Sequence, residues 1–320
     1  MTTVPLLYVA RRLLALVLIV IVISFVVFSL LYLAPGSPEQ ILLGARPATP
    51  ETIRAIRDEY HLNDSFLEQY KTWAEGAVRF DFGRSIRTNE PVTAAIKDRF
   101  GLTLQLGIFA FLITMLLGVP LGIFAAVRKQ SALDRGVVGI SVVGISVPAF
   151  ATGILLLYIF AVELGWFPVF GQGSGAVGRV HHLTLPAVAL ALTGMGLILK
   201  LTRTAMIGAL ETDYVTFARA RGIPERRVLT SYALRNALIP IVTAGGLLLA
   251  YMLAGTVLVE VTFALPGMGS LLVDSVRTLD LPMVQALVIL IAVIVVVVNL
   301  VADLIYVLID PRISFTKVDL

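Results

Sequence analysis

Six long stretches of the chain are almost entirely apolar, and polar segments separate them. The stretches cover residues 13–34, 102–127, 136–162, 183–205, 237–261 and 283–309. A helix needs about 20 mainly apolar residues to cross a membrane, and a segment inside lipid must satisfy its backbone hydrogen bonds internally. The pattern therefore predicts an all-α polytopic membrane protein with six transmembrane helices. Pro120 and Pro148 lie inside two of the stretches and mark positions where kinks are expected.

The first stretch is preceded by Arg11 and Arg12, as the apolar region of a secretory signal peptide is preceded by basic residues. Its uncharged run is longer than the roughly 7–15 residues of such a region, and no Ala-x-Ala cleavage pattern follows. We therefore expect residues 1–35 to be a retained N-terminal transmembrane helix.

Residues 36–98 contain the signals of a small helical insertion. The tripeptide Thr-Pro-Glu at 49–51 is typical of a helix start, with a capping Thr and a proline in the first turn. Asn63 or Asp64 is expected to start a second helix. Along that helix Phe66, Tyr70 and Trp73 form a stripe, which either packs on the membrane helices or meets a partner outside the membrane.

The composition agrees with the membrane class. Hydrophobic residues make up 58% of the chain and charged residues 14%, against about 45–50% and about 25% in soluble domains. The chain has no cysteine and only three histidines, which excludes disulfides and thiolate chemistry and leaves little for a metal site. No metal or cofactor of its own is expected.

Lys and Arg residues concentrate in alternate polar segments. If the N-terminus is cytoplasmic, twelve fall in cytoplasmic segments, while the short outer loops near 164–182 and 263–282 hold one each. The twelve are Arg11, Arg12, Arg128, Lys129, Arg135, Arg219, Arg221, Arg226, Arg227, Arg235, Arg312 and Lys317. An excess of Lys and Arg in short loops marks the cytoplasmic side, and long segments such as 36–98 are left out of this count. The count therefore places both termini in the cytoplasm. Topology and contact with anionic lipid account for these charges, so no nucleic-acid partner is expected.

Other motifs offer little chemistry. Residues 173–179 have the glycine spacing of a phosphate loop but lack its Lys and Ser/Thr, so a flexible loop is expected and any use of ATP must come from a partner. His181 and His182 are interpreted as an interfacial polar pair. Asn299 and Asp303 are expected to be polar helix-packing residues, because no string of ionisable groups crosses the bilayer as an ion-driven carrier usually requires.

The polar segment 206–236 is the most informative part of the chain. Small residues Ala218 and Ala220 precede Gly222, which can end a helix and allow close backbone approach. Pro224 and Glu225 suit the start of a second short helix. Two short helices joined at a glycine would form a compact knob. From these residues alone, the knob either seats in a groove of another protein or is an amphipathic connector on the membrane.

This segment resembles the EAA loop of binding-protein-dependent ABC importer permeases. Thr216, Phe217 and Ala218 stand before Gly222 at the spacing of that motif, and residues 232–235 match its last element. Departures are Thr216 for an acid, Phe217 for Ala and Arg235 for Pro. Further stretches resemble the dipeptide/oligopeptide permeases, in order along almost the whole chain. They are residues 8–13, 33–36, 81–85, 266–269, 280–282, 299–303 and 310–313.

The resemblance implies a type I ABC importer permease fold and the role of first permease of a pair. It implies as partners a second homologous permease subunit, two ABC ATPase subunits that bind ATP and Mg²⁺, and an extracytoplasmic substrate-binding protein. The residues expected to couple to the ATPases are Tyr214, Ala218, Ala220, Gly222, Pro224, Glu225 and Arg226. The chain itself would be a non-catalytic transport subunit in a bacterial plasma (inner) membrane.

The expected organisation is a first helix in residues 1–35, an extracytoplasmic insertion in 36–98, a permease core in 99–310 and a cytoplasmic tail in 311–320. Peptides are the expected cargo, and the same machinery in this subgroup also carries nickel, glutathione, haem or glycosides. A self-contained carrier or channel is the alternative of a different class. An intramembrane enzyme is disfavoured because no catalytic pair or metal constellation is found.

Overall fold

The computed structural model describes residues 4–33, 36–43 and 49–309, and these ranges are helical with turns and loops between the helices. The helices in chain order are α1 (Val4–Leu33), α2 (Pro38–Leu43), α3 (Pro50–Glu59), α4 (Phe66–Val78), α5 (Val92–Val127), α6 (Ala132–Ser146), α7 (Ala149–Leu156), α8 (Gly175–Leu210), α9 (Asp213–Ala220), α10 (Glu225–Arg227), α11 (Arg235–Thr262), α12 (Met268–Arg277) and α13 (Leu281–Ile309). Two π-helical segments, Leu157–Glu163 and Val228–Leu234, continue α7 and α10.

The described helices include five that are long and apolar enough to cross a membrane. They are Arg11–Leu33, Val92–Val127, Gly175–Leu210, Glu225–Thr262 and Leu281–Ala302. The pair formed by α6 and the helix Ala149–Glu163 also passes this test but is bent by 104°. The structure thus has the six predicted spans if the bent pair counts as one.

At Pro148, where a kink was expected in the third span over 136–162, the structure has this much larger bend. Its cause is local, because a residue before proline is pushed out of the helical region. Val147 has φ −96° and ψ 123°, and α7 begins directly after Pro148. Pro120, in contrast, lies inside an uninterrupted α5.

The chain divides into two compact units. The first consists of Met1–Thr103 with Pro266–Val296, and the second of Leu104–Leu265 with Val297–Leu320.

In the first unit, the insertion helices begin close to the predicted positions. The hydroxyl of Thr49 accepts a hydrogen bond from the Thr52 backbone amide at 3.2 Å, as expected. The helix α4 starts after Ser65, not after Asn63 or Asp64, because Ser65 and Glu68 form a reciprocal capping box that satisfies two free backbone amides. The hydrogen bond from the Ser65 side chain lowers the pKa of Glu68.

The aromatic stripe of α4 packs on α1, which confirms the first of the two alternatives for it. Phe66 and Tyr70 meet the ring of Phe28 edge-on, at centroid distances of 5.4 and 5.6 Å. Trp73 lies 5.5 Å from the same ring. Such aromatic pairs are worth about 0.5–1.5 kcal/mol each beyond the area they bury, so they fix the insertion against the first transmembrane helix.

A buried polar clasp joins two segments of the first unit that are far apart in sequence. Ser85 donates its hydroxyl proton to the Asp280 carboxylate, and the backbone amide of Ile86 donates to the same carboxylate at 3.1 Å. Ser85 is 1% exposed and Asp280 is 4% exposed. The clasp brings together residues 81–85 and 280–282, which the sequence marked only as separate motifs.

The second unit is built around α8, the most buried of the spans. Gly144 of α6 lies close to the Leu192 carbonyl, and a methyl group there would come within 2.8 Å of it. The absence of a side chain at Gly144 lets α6 and α8 approach closely. Residues 175–179 form the first turns of α8, so the flexible loop expected over 173–179 is wrong for most of its length. Its side chains are compatible with a helix, and positive φ is confined to Gly173 and Gly175.

Candidate functional site

The segment after α8 forms a helix and a tight turn. After α9, the backbone amide of Gly222 donates to the Arg219 carbonyl at 2.9 Å, and that of Ile223 donates to the Ala218 carbonyl at 3.2 Å. This pair of bonds defines a Schellman motif. Gly222 has φ +73°, a conformation that side chains disfavour. The turn itself therefore favours glycine here over residues with larger or β-branched side chains.

A small apolar cluster holds α9 in place. Val215, Ala218 and Val228 are buried, and Ile223 and Tyr232 pack against them. Ala218 is 4% exposed. The structure therefore places Ala218 inside the loop, where a larger side chain would force α9 away from the start of α10.

Two polar ties add to this cluster. The guanidinium of Arg219 donates to both carboxylate oxygens of Glu225, at 2.6 and 3.2 Å, and these bonds raise the pKa of Arg219. The Asn236 amide donates to the Tyr214 hydroxyl at 2.9 Å and to the Tyr232 carbonyl at 2.8 Å. Together they link both ends of α9 to the helical segment that follows, so α9 moves with that segment.

The second short helix expected after Pro224 is not separate. A helix does begin at Glu225, after Pro224 as its capping residue. It then continues through the π-helical segment into α11, so that Glu225–Thr262 is one span of 38 residues. Nothing in the sequence after Glu225 ends a helix, and Pro240 is accommodated within α11. The predicted knob is therefore one short helix and a turn at the end of a long helix.

The outer surface of this segment carries two exposed aromatic side chains. Tyr214 is 40% exposed and Phe217 is 69% exposed, and residues three apart lie on the same helix face. Of the other residues expected to couple, Ala220, Gly222, Pro224 and Arg226 are exposed as well. In the sequence, Phe217 stood out only as a departure from a motif. Its exposure as a large apolar residue on a charged helix is the signal that marks it as part of the surface.

Ion pairs join the helices that precede this segment in the second unit. Lys129, just after α5, lies 2.6 Å from Glu211 at the end of α8. Arg203 of α8 donates to the carboxylate of Asp134 at 2.8 Å. These pairs join residues 69 or more positions apart, so the sequence pattern gave no sign of them.

The polar residues predicted within the sixth span are only partly described. The Oδ1 atom of Asn299 is buried and has no hydrogen-bond partner within the described part of the chain. The side chain of Asp303 lies outside the described residues. Among the residues whose placement is described, no group of three His, Cys, Asp or Glu side chains could hold a metal ion.

The chain is similar to transport permeases. Residues 118–315 match the family described as binding-protein-dependent transport system inner membrane component, and residues 6–107 match its N-terminal part. The oligopeptide transport system permease protein AppB of Bacillus subtilis is 37% identical over 96% of this chain and 99% of its own length. The glutathione transport system permease protein GsiC of Escherichia coli is 37% identical over the same shares.

A solved structure has the same fold. It is the MetNI methionine ABC transporter in an inward-facing conformation, with a TM-score of 0.57 and 18% identity, covering 69% of this chain and 99% of that one. Together with the apolar spans, these matches establish the architecture and the family. The chain belongs to the binding-protein-dependent transport system inner membrane components and is a multi-pass membrane protein with an ABC importer permease fold.

Proposed function

We propose that this chain is one of two permease subunits of an ATP-driven importer, and that α9 with the turn at Gly222 is the surface on which a partner ATPase docks. The observation that carries the proposal is the construction of this segment. A short helix with an exposed face is fixed at both ends to the long helix 225–262. A displacement of α9 therefore also displaces the long helix.

The distribution of side chains favours docking over an amphipathic connector lying on lipid. A connector would turn its apolar face towards the membrane, yet Val215 and Ala218 of α9 face the interior of the loop. The exposed side chains of this segment include Tyr214 and Phe217 as well as charged residues such as Arg226. Aromatic side chains within a polar rim are typical of protein–protein contact surfaces.

In this assembly the chain would provide half of the translocation path and no catalytic chemistry. ATP and Mg²⁺ would be bound by two partner ATPase subunits, and an extracytoplasmic binding protein would deliver the cargo. Closure of the ATPases would displace α9 and shift the permease between two conformations. In this orientation both termini are cytoplasmic, as the distribution of Lys and Arg indicates.

Peptides are the proposed cargo, because relatives that align over nearly their whole length are named as oligopeptide and peptide permeases. Glutathione is the second candidate, from the relative GsiC. Nickel, haem and glycosides are further candidates for the cargo of the same mechanism. A self-contained carrier or channel would instead transport without ATPase partners.

Substitution of Phe217 by Ala tests the docking surface. We expect Phe217→Ala to remove the exposed aromatic contact and to lower ATP-dependent peptide uptake by at least tenfold, since central aromatic residues carry much of the binding free energy of an interface. The measurement is uptake of a labelled peptide into proteoliposomes that contain the permease pair, the ATPases and the binding protein.

The matched control is Phe170→Ala, because Phe170 is similarly exposed, at 72%, but lies in the segment before α8. It should leave uptake unchanged. Equal uptake in the two variants would contradict the docking surface, and uptake by the chain without ATPases would contradict the importer as a whole.

A further inference from the structure

The first unit contains a partly open cavity of about 240 Å³ that plays no part in the proposed coupling to an ATPase. It lies among α1, the insertion helices and the start of α13. Four aromatic side chains line it, namely Phe28, Tyr60, Trp73 and Phe82, and Gln285 and Asp81 also border it. Small-ligand sites have this composition, an apolar and aromatic wall with a few polar groups.

The charge of the lining is one-sided. Among the described residues that line the cavity none is Lys or Arg, and Asp81 carries the one carboxylate. Its Oδ1 atom accepts a hydrogen bond from the backbone amide of Gly83 at 3.1 Å, which fixes the side chain and leaves the second oxygen available. Within the described part of the lining, the imidazole of His61 is the one basic side chain, and its Nδ1 atom lies 3.2 Å from Asp64.

The buried amide of Gln285 adds a neutral acceptor. The residue is 6% exposed, and its Nε2 group donates to the Val27 and Phe28 carbonyls at 3.3 and 3.4 Å. The amide nitrogen is therefore used within the protein, and the Oε1 atom is the end of the side chain that is left to accept. The lining thus contributes two oxygen groups, from Asp81 and Gln285, that suit a positively charged ligand.

The aromatic walls favour the same ligand chemistry. The rings of Phe28 and Trp73 have centroids 5.5 Å apart and are tilted by 46°, and both side chains line the cavity. Aromatic faces attract cations, and tryptophan does so most strongly, with a larger effect where water is excluded. A carboxylate beside such walls suits an ammonium group better than an anion or a neutral alcohol.

We propose that this cavity binds a small organic ammonium ion, held between the Asp81 carboxylate, the Gln285 amide oxygen and the faces of Trp73 and Tyr60. Such a ligand contacts α4 and α13 and lies beside Phe28 of α1, which also lines the cavity, so its binding stabilises the insertion on the first transmembrane helix. The ammonium group can come from a free amine or from the headgroup of an aminophospholipid.

The experiment uses the fluorescence of Trp73 in the full chain. The protein has two tryptophans, so a Trp166→Phe background leaves Trp73 as the sole reporter. This protein is placed in nanodiscs of phosphatidylglycerol and titrated with choline and with 3,3-dimethylbutan-1-ol, which has the shape of choline without its charge. We expect saturable quenching by choline and at least tenfold weaker binding of the alcohol.

Two variants test the assignment of residues. Asp81→Asn keeps the acceptor for the Gly83 amide and removes the charge, so it should weaken choline binding about tenfold. Asp274→Asn, an exposed carboxylate on α12, should leave it unchanged. Equal binding of choline and the alcohol, equal binding by the two variants, or no saturable quenching would each overturn the proposal.

A further arm distinguishes the source of the ammonium group. Phosphatidylethanolamine is added to the nanodisc before the choline titration. A rise in the apparent dissociation constant for choline assigns the cavity to the lipid headgroup, and an unchanged constant assigns it to a free amine.

Discussion

Asp280 shows how one residue holds distant parts of the first unit together. Its carboxylate receives the Ser85 hydroxyl and the Ile86 backbone amide within a buried site. Hydrogen bonds to a charged acceptor are worth about 1.5–3 kcal/mol each, and a buried donor left without a partner costs a similar amount. The loop between Ser85 and Pro91 therefore depends on a side chain almost 200 positions away.

We expect Asp280→Ala to lower the free energy of unfolding by about 3 kcal/mol, since it leaves two donors without their acceptor. The thermal unfolding midpoint of the full chain in detergent, followed by circular dichroism, would fall by several degrees. Asp274→Ala removes an exposed carboxylate from α12 and should shift the midpoint little. Equal midpoints for the two variants would show that the clasp does not stabilise the fold.

At the scale of single elements, the sequence predicted those helix starts and spans that neighbouring residues determine. Thr49 caps α3 as predicted, and the apolar runs gave the positions of the spans. The third span was misjudged because the steric effect of Pro148 on Val147 produced a full bend rather than a kink. The second short helix was misjudged because the start signal at Glu225 was used while the absence of a stop signal before α11 was not.

Contacts between elements were not accessible from the pattern. The tie between Asn236 and Tyr214 and the pair Lys129–Glu211 join polar residues that look like ordinary solvated groups along the chain. The inward position of Ala218 likewise depends on Val228, which approaches it only after the chain has turned at Gly222.

The turn after α9 gives a prediction of its own. A methyl group at Gly222 would have no heavy atom of the described chain within 4 Å, so the requirement for glycine there is conformational. Asn tolerates left-handed φ, whereas a β-branched side chain does so poorly. We expect Gly222→Val to distort the turn and abolish ATP-dependent uptake, and Gly222→Asn to retain the turn.

Uptake by the unchanged chain and by the Gly222→Val and Gly222→Asn variants is then compared at equal amounts of protein in the membrane. If Gly222→Asn also loses uptake, the partner must approach the backbone at this point. Normal uptake by Gly222→Val would mean that the turn has no role in coupling.

At the scale of the whole molecule, the proposed function requires that the loop face the cell interior. The chain has no native cysteine, so Gly222→Cys provides a single thiol at an exposed position. We expect a membrane-impermeant maleimide to label it in inside-out vesicles and to leave it unlabelled in intact cells. Labelling from outside would place the loop on the wrong side for an ATPase and would contradict the proposed orientation.

The continuous helix from Glu225 to Thr262 has a mechanical consequence. At about 1.5 Å per residue its 38 residues extend over roughly 57 Å. A rotation of only about 5° about one end would carry the other end sideways by about 5 Å. A small rotation at the cytoplasmic end of this helix would therefore move its outer end by several ångströms. The helix would not have to unwind.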